Sequence, residues 1–148
     1  MTIKGRIRAI SVSKEKGTPK TNVPDAELKT NHGIVGDAHA ADWHRQVSLL
    51  AVESIEKMLA AGAKVSAGDF AENITTEGIN LTALSVGDKL CIGQAVKVEI
   101  TQLGKKCHKR CAIYEQVGDC IMPREGIFAK VIEAGRIKVG DIIEMMND

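Results

Sequence analysis

The chain has 148 residues, of which 44 % are hydrophobic and 26 % charged, an ordinary composition for a globular domain with one core. A net charge of +1 and an aromatic content of 3 % argue against nucleic-acid binding, which needs basic patches and stacking rings. No apolar run approaches the roughly 18 residues of a membrane span, and the N-terminus lacks a signal peptide's apolar core. We therefore expect one domain over residues 1–148, located in the cytoplasm, with neither nucleic acid nor membrane as a partner.

The first half of the chain alternates short strand patterns with polar loops. Residues 4–12 have a weak period of two and predict a strand, and residues 26–30 predict a short second one. Residues 13–25 are polar and contain glycine and proline, which indicates an exposed loop. Residues 47–50 predict a short buried strand. Residues 51–61 show the clearest helical spacing in the chain.

Histidines are concentrated in one segment of this half. Three of the four fall within residues 32–44, close to Asp37 and Arg45. Histidine can act as an acid, a base or a ligand near neutral pH, so His39 is a candidate functional residue. A partly exposed polar loop with incidental histidines is the simpler interpretation of the same pattern.

A second polar segment, residues 68–78, combines two glycines with Asn73, Thr75 and Thr76. These side chains and the backbone N–H groups of a glycine-bounded loop can hydrogen-bond a polar ligand. A turn followed by a half-exposed strand explains the segment equally well, because isoleucine and threonine suit a pleated surface.

The second half consists mainly of strand patterns. Val86-Gly-Asp88 leads into residues 89–92, and residues 95–102 alternate cleanly between apolar and polar. Further strands are predicted over residues 127–132 and 137–145. Seven or eight short strands with one good helix indicate a mainly β fold, a closed or strongly curved β-barrel with one or more covering helices. Such a barrel would bring the polar segments together at one mouth.

Cysteine chemistry is concentrated directly after the strand pattern of residues 95–102. Cys107 and Cys111 lie four residues apart, among four basic side chains: Lys105, Lys106, Lys109 and Arg110. Thiolates bind soft metals and are good nucleophiles, and nearby positive charge favours the thiolate over the thiol. These cysteines are therefore candidates for a reactive or metal-binding thiol.

Three alternatives remain open for these cysteines. Cys107, His108, Cys111 and Cys120 together offer four ligands for a structural zinc ion, although without the usual paired spacing. A disulfide or redox pair between Cys107 and Cys111 is the second alternative, and inert thiols are the third. Cys91 lies in an apolar run, and we expect it to be buried.

Several of these stretches together resemble the MOSC family, the domain found at the C-terminus of molybdenum cofactor sulfurases and as small stand-alone bacterial proteins. The matching stretches, in chain order, are Gly33-Ile-Val-Gly-Asp37 with His39, Arg45-Gln-Val-Ser-Leu-Leu50, Gly68-Asp-Phe-Ala-Glu-Asn-Ile-Thr75, Val86-Gly-Asp88, Thr101-Gln102 with the cysteines that follow, Ile127-Phe-Ala-Lys-Val131, Gly135 and Val139-Gly-Asp141. They cover most of the chain.

The resemblance implies a β-barrel with an anion-lined pocket for a molybdopterin-type cofactor. In the family, a cysteine ligates molybdenum or carries sulfur to it. Some members reduce N-hydroxylated compounds, whereas others are regarded as sulfur carriers or cofactor-handling modules. The partners implied are the small-molecule cofactor and a protein of cofactor synthesis or electron transfer.

The resemblance also suggests roles for individual residues. Arg110-Cys111 matches members with a Cys-x-Arg-Cys segment and makes Cys111 the preferred ligand, whereas Cys107-His-Lys109 matches members with a single cysteine. His39 would orient or protonate the bound group. The cofactor-binding residues would be Arg45, Asp37, Asn73, Thr75, Thr76, Lys105, Lys106, Lys109 and Arg110.

Overall fold

The structure is a computed structural model that describes residues 3–16, 18–104 and 125–146. This part of the chain contains eleven strands, a helix and a short 3₁₀ helix at Leu81–Ala83. In chain order they are β1 Lys4–Val12, β2 Thr21–Val23, β3 Asp25–Lys29, β4 Gly33–Ile34, β5 Val47–Ala51, α1 Val52–Ala60, β6 Ile74–Glu77, β7 Lys89–Ile92, β8 Val96–Leu103, β9 Ile127–Glu133, β10 Gly135–Lys138 and β11 Ile142–Met145.

The principal sheet closes on itself. Its strand order is β11-β7-β8-β9-β5-β6-β1-β2, and an additional β11–β1 pairing joins the two sides into a barrel with β2 as an appended strand. The β5–β6 pair is parallel, because α1 connects these two strands. A smaller sheet of order β10-β3-β4 packs alongside. The predicted mainly β fold, a closed barrel with a covering helix, is confirmed.

Alternation along β7 and β8 separates the interior of the barrel from its outer surface. Val96, Val98 and Ile100 are buried in the main core, as are Leu90 and Ile92 opposite them. Cys91 lies between the last two and is therefore on the outer side, partly exposed and paired with Lys97. The expectation that Cys91 is buried is wrong, because the apolar run lies in a strand with only one face in the core.

A second, smaller core lies on the outer face of β5, beneath α1. Leu50 and Phe128 contribute from the barrel wall, and Ile55 and Met58 contribute from the helix. Leu59 is exposed, so fewer apolar side chains of α1 are buried than its helical spacing of apolar residues predicted. Ser48 shares the outer face of β5 with Leu50, since side chains two apart in a strand point the same way.

Residues 137–145 form two strands in different sheets, not the single strand predicted. β10 pairs with β3, whereas β11 pairs with β1 and β7. The break is the turn at Val139-Gly-Asp141, in which Gly140 has φ +95° and Asp141 Oδ2 accepts a hydrogen bond from the Lys138 N–H. The turn at Val86-Gly-Asp88 uses the same device, with Gly87 at φ +97° and Asp88 Oδ2 accepting from the Ser85 N–H. The two Val-Gly-Asp stretches therefore form the same kind of turn.

The predicted loop over residues 13–25 includes strand β2, which pairs with the end of β1. Gly68 packs directly against this segment: its carbonyl accepts a hydrogen bond from the Lys20 N–H at 2.8 Å. A Cβ added to Gly68 would lie 2.4 Å from the Lys20 carbonyl oxygen, and the glycine has φ +98°. The segment around Lys20 is therefore held against the loop that precedes β6.

This packing gives a prediction with a matched control. Gly68 and Gly87 have nearly the same positive φ, +98° and +97°, but a Cβ on Gly87 would meet nothing within 4 Å. Both alanine substitutions incur the left-handed backbone penalty of about 1–2 kcal/mol, and only Gly68→Ala adds a steric clash. Chemical denaturation should show a further loss of about 1–3 kcal/mol for Gly68→Ala. Equal losses in the two variants would contradict the close packing on Lys20.

Candidate functional site

The candidate site is built on the buried carboxylate of Asp37, in the turn that follows β4. Asp37 Oδ1 accepts hydrogen bonds from the Ser13 N–H at 3.0 Å and from Lys20 Nζ at 2.8 Å. Oδ2 accepts from the His39 N–H at 3.1 Å. Burial raises the pKa of Asp37, but the hydrogen bonds from Lys20 and Ser13 and the charge of Lys20 outweigh it, so the net pKa lies below the ordinary value. Asp37 is therefore a carboxylate at neutral pH.

Lys20 joins this carboxylate to the histidine. Its side chain is completely buried, and its Nζ lies 2.8 Å from Asp37 Oδ1, 2.9 Å from His39 Nδ1 and 3.1 Å from Ser13 Oγ. An ammonium group has three N–H donors, so each donor has an acceptor here. The exposed loop expected over residues 13–25 thus contributes a buried cation.

Asn73 connects the site to the barrel wall. Its Nδ2 donates to the Ser11 carbonyl at 3.1 Å, and its Oδ1 accepts from the Ser48 N–H at 3.0 Å. Its side chain also contributes to lowering the pKa of Asp37. Asn73 is fully buried, and its side chain connects β1 with β5. Its binding of a cofactor stays a prediction.

The two predicted threonine ligands lie on opposite faces of β6. Thr76 is paired with Ile7 of the interior core, whereas Thr75 is aligned with Leu50 of the outer core. The Thr75 hydroxyl donates to Glu72 Oε2 at 3.1 Å, and within the described residues Thr76 Oγ1 is buried without a partner. Because neighbouring strand residues point to opposite faces, these hydroxyls do not converge on one point.

Glu72 is a buried carboxyl group that the sequence patterns did not single out. It is fully buried, and its Oε1 has no hydrogen-bond partner within the described residues. Burial raises the pKa of Glu72, and the hydrogen bonds it accepts from the backbone of Gly68 and Phe70, its own N–H and the Thr75 hydroxyl offset only part of the effect. Such an environment favours the protonated acid.

Arg45 lies between two aromatic rings. Its guanidinium carbon is 4.9 Å from the centroid of Trp43 and 5.6 Å from that of Phe128, and its buried Nε has no partner within the described residues. Lys16 Nζ lies 4.6 Å from the same Trp43 ring, and Trp43 Nε1 donates to the His39 carbonyl at 2.8 Å. Lys16 and Arg45 therefore both lie beside the histidine loop. The Arg45 Nε–H could donate a hydrogen bond to a further group.

The ends of the cysteine segment lie near this cluster. The Gly104 N–H donates to the Gly126 carbonyl at 2.6 Å, and Leu103 pairs with Ile127, next to Phe128. The segment between these anchors carries further predicted site residues, which lie outside the described residues: Lys105, Lys106, Cys107, Lys109, Arg110 and Cys111. The zinc alternative involving His108 and Cys120 lies outside them as well.

Of the predicted site residues that the structure describes, Asp37 and His39 belong to one network, and Asn73 and Arg45 lie beside it. The sequence analysis missed Lys20 and Glu72. The signal for Lys20 was indirect: a buried aspartate needs a cation or several donors, but the sequence does not say which lysine provides it.

Two classes of feature are absent from residues 3–16, 18–104 and 125–146. No helix there is long and apolar enough to cross a membrane. No group of three or more His, Cys, Asp or Glu side chains there is arranged to hold a metal ion.

Comparison with known proteins places the chain in a family. The MOSC domain model matches residues 35–144, so the chain belongs to the MOSC domain family. The YUAD protein from Bacillus subtilis has the same fold, with a TM-score of 0.82 and 16 % identity over 98 % of this chain and 97 % of that one.

Two further solved structures have the same fold at similar identity. They are YiiM from Geobacillus stearothermophilus (TM-score 0.70, 20 % identity, 97 % of this chain and 75 % of that one) and YiiM from Escherichia coli (TM-score 0.68, 19 % identity, 97 % and 70 %). No curated protein matches the chain. The family and the fold are thereby shown, and the resemblance seen in the sequence is confirmed.

The buried ion pair gives the next prediction. Because Asp37 has a lowered pKa, its stabilising effect is present above the reference value of 3.8 and is lost as pH falls through the folded-state pKa. Asp37→Asn leaves the buried Lys20 without its counter-charge and should cost about 3–5 kcal/mol near neutral pH. The control, Asp25→Asn, removes the partner of Arg136 in a pair that is more than half exposed and should cost under about 1 kcal/mol. Urea denaturation measures both, and similar losses would contradict the role of Asp37.

Glu72 should show the opposite dependence on pH. Because its pKa is raised, the free energy of unfolding falls as pH rises from the reference value of 4.5 through the folded-state pKa. Glu72→Gln should therefore melt above the wild type near neutral pH, and the difference should shrink towards pH 4.5. The exposed Glu56→Gln in α1 is the control and should change little. A melting difference for Glu72→Gln that does not vary with pH would contradict this assignment.

Proposed function

We propose that this MOSC protein binds the molybdenum cofactor and, through a cysteine thiolate, either handles the cofactor or its sulfur or supports molybdenum-dependent reduction of N-hydroxylated compounds. The observation that carries the proposal concerns the Nε of Arg45, which has no partner among the described residues and lies near the point where both ends of the cysteine segment meet at Gly104 and Gly126.

The described residues fit an anionic organic cofactor. Within residues 3–16, 18–104 and 125–146, Arg45 has an N–H donor without a partner, and two aromatic rings limit the orientation of its guanidinium group. Arginine in this setting suits a phosphate or dithiolene group, because its donors are planar and its charge is permanent. Lys16 adds a second positive charge on the same tryptophan. Lys105, Lys106, Lys109 and Arg110 are proposed to complete the neutralisation.

The thiol chemistry is assigned to Cys111, with Cys107 as the alternative. A thiolate is a soft ligand suited to a thiophilic metal, and it is also the form that carries a persulfide sulfur. The four basic neighbours in the sequence favour the thiolate. When bound, the cofactor would supply a metal centre able to change oxidation state. The chain itself supplies the ligand, the compensating charge and the hydrogen bonds.

The remaining assignments follow from this chemistry. His39 is proposed to orient the bound group. Asp37 acts through the network that positions His39. Any direct contact of Asn73, Thr75 or Thr76 with the pterin would need their buried groups to become accessible. We place the protein in the cytoplasm, where thiols remain reduced, and propose a protein of cofactor synthesis or electron transfer as its partner.

Elemental analysis of the purified protein tests the proposal. Protein from cells that make molybdopterin should contain molybdenum, whereas protein from cells unable to make it should not. Cys111→Ser should abolish this loading with little change in melting temperature. Cys91→Ser is the matched control, because this partly exposed cysteine on the outer side of β7 should lose no molybdenum and change stability by less than about 0.5 kcal/mol.

The other outcomes are equally informative. Loss of loading in Cys107→Ser but not in Cys111→Ser would move the ligand to Cys107. Zinc at one ion per chain, with unfolding on chelation, would replace the proposal by a structural zinc site. A Cys107–Cys111 disulfide that forms under mild oxidant would favour a redox pair. Absence of molybdenum and pterin even after reconstitution would refute cofactor binding.

A further inference from the structure

We infer that Lys20 is a positioning residue that holds His39 in the neutral tautomer with its proton on Nε2. In this tautomer His39 has a hydrogen-bond donor at Nε2 and an acceptor at Nδ1. The tautomer rests on the described contacts alone and does not depend on the proposed function.

The first step is the proton inventory of the Lys20 ammonium group. Asp37 Oδ1 and Ser13 Oγ each accept from Lys20, at 2.8 Å and 3.1 Å. The third contact, 2.9 Å long, is with His39 Nδ1. A proton on Nδ1 would point at an ammonium group that has no lone pair to accept it. Nδ1 must therefore carry the lone pair, and the proton of the neutral ring is on Nε2.

A reversed arrangement, with a neutral amine and a charged imidazolium, is disfavoured by acidity. The reference pKa of an alkylammonium is about 10.4 and that of an imidazolium about 6.5, so a proton shared between the two groups stays on the amine. The Asp37 carboxylate, 2.8 Å from Nζ, holds the charge on the lysine side.

A second alternative is a direct bond from His39 Nδ1–H to the aspartate, as in a catalytic triad. The distance from Nδ1 to Asp37 Oδ2 is 3.8 Å, too long for a hydrogen bond. Oδ2 already accepts from the His39 backbone N–H at 3.1 Å. Lys20 therefore takes the place on Nδ1 that a carboxylate occupies in a triad. The sign of the charge beside the ring is therefore reversed.

The rest of the network holds the ring in this arrangement. The backbone of His39 is fixed on both sides, because its N–H donates to Asp37 and its carbonyl accepts from Trp43 Nε1. Lys20 is held by its backbone N–H, which donates to the Gly68 carbonyl. Its side chain is fully buried, whereas that of His39 is 22 % exposed. Lys20 thus acts on His39 from within the protein while the histidine reaches the surface.

Nuclear magnetic resonance of the full chain labelled with ¹⁵N-histidine tests the inference. Long-range ¹H–¹⁵N correlations distinguish the tautomers, and His39→Gln identifies the His39 signals by their disappearance. The wild type should show His39 as one tautomer, with a lone pair on Nδ1 and a proton on Nε2. A proton on Nδ1 in the wild type would overturn the inference whatever the variants do.

The variant series separates positioning from mere stability. Lys20→Met combined with Asp37→Asn removes the ammonium group without leaving a buried unpaired charge, and it should shift the His39 nitrogen signals towards a mixture of tautomers. Ser13→Ala removes only the hydroxyl acceptor of Lys20 and keeps its ion pair with Asp37, so it should keep the Nε2–H tautomer. Lys4→Met, which removes an exposed lysine 4.0 Å from Glu144, should leave all histidine signals unchanged.

An unchanged tautomer in the folded double variant would refute the role of Lys20. If that variant does not fold, the wild-type spectrum and Ser13→Ala still decide, because each must show the lone pair on Nδ1. Failure of the proposed function would appear separately, as absence of molybdenum in the wild-type protein with the tautomer result intact.

Discussion

The structure of the candidate site depends on one interaction, the buried ion pair between Lys20 and Asp37. Removing two charges from water is costly and is tolerated only when further hydrogen bonds satisfy both groups. Here the lysine has three acceptors, and the aspartate accepts from two backbone N–H groups as well as from the lysine. The pair therefore requires the segment before β2, the histidine loop and the end of β1 to occupy one arrangement together.

The barrel acts as the frame for this arrangement. Its interior is filled by apolar side chains from nearly every strand, so the polar network lies outside that core. Ser48 and Asn73 lie where the apolar core gives way to polar groups. They hydrogen-bond each other at the start of the neighbouring strands β5 and β6. A rigid wall on one side and an exposed loop on the other suit a site that must hold a few polar groups in fixed positions.

The hydrogen-bonded network around Lys20 and the buried groups without partners have different functional implications. The Lys20 network is fully satisfied, which is expected of a positioning element. Arg45 Nε and Glu72 Oε1 are buried without partners within the described residues, which is costly for stability. Unsatisfied groups of this kind are typical of sites where stability is lower than it could be, because a ligand or a proton is the missing partner. The arginine lies where the cysteine segment begins and ends, and this location connects it with the proposed chemistry.

The sequence by itself determined the features that arise from neighbouring residues. Alternation over residues 95–102, the helical spacing of residues 51–61 and the two Val-Gly-Asp turns depend on local periodicity and on glycine backbone freedom, so they could be predicted without any partner. The set of matching stretches also indicated the family. The choice of Asp37, His39 and Asn73 for one site followed from their residue types and from that resemblance.

Only the tertiary structure decided which distant groups meet. Lys20 lies in a stretch that has the composition of an exposed loop, and nothing local distinguishes it from Lys14 or Lys16. It is buried because Gly68 and Asp37 approach it from far along the chain. The division of residues 137–145 between two sheets, and the opposite faces of Thr75 and Thr76, depend likewise on which strands lie alongside. The closure of the barrel as a whole determines which distant segments pair. A local sequence pattern therefore does not predict this pairing.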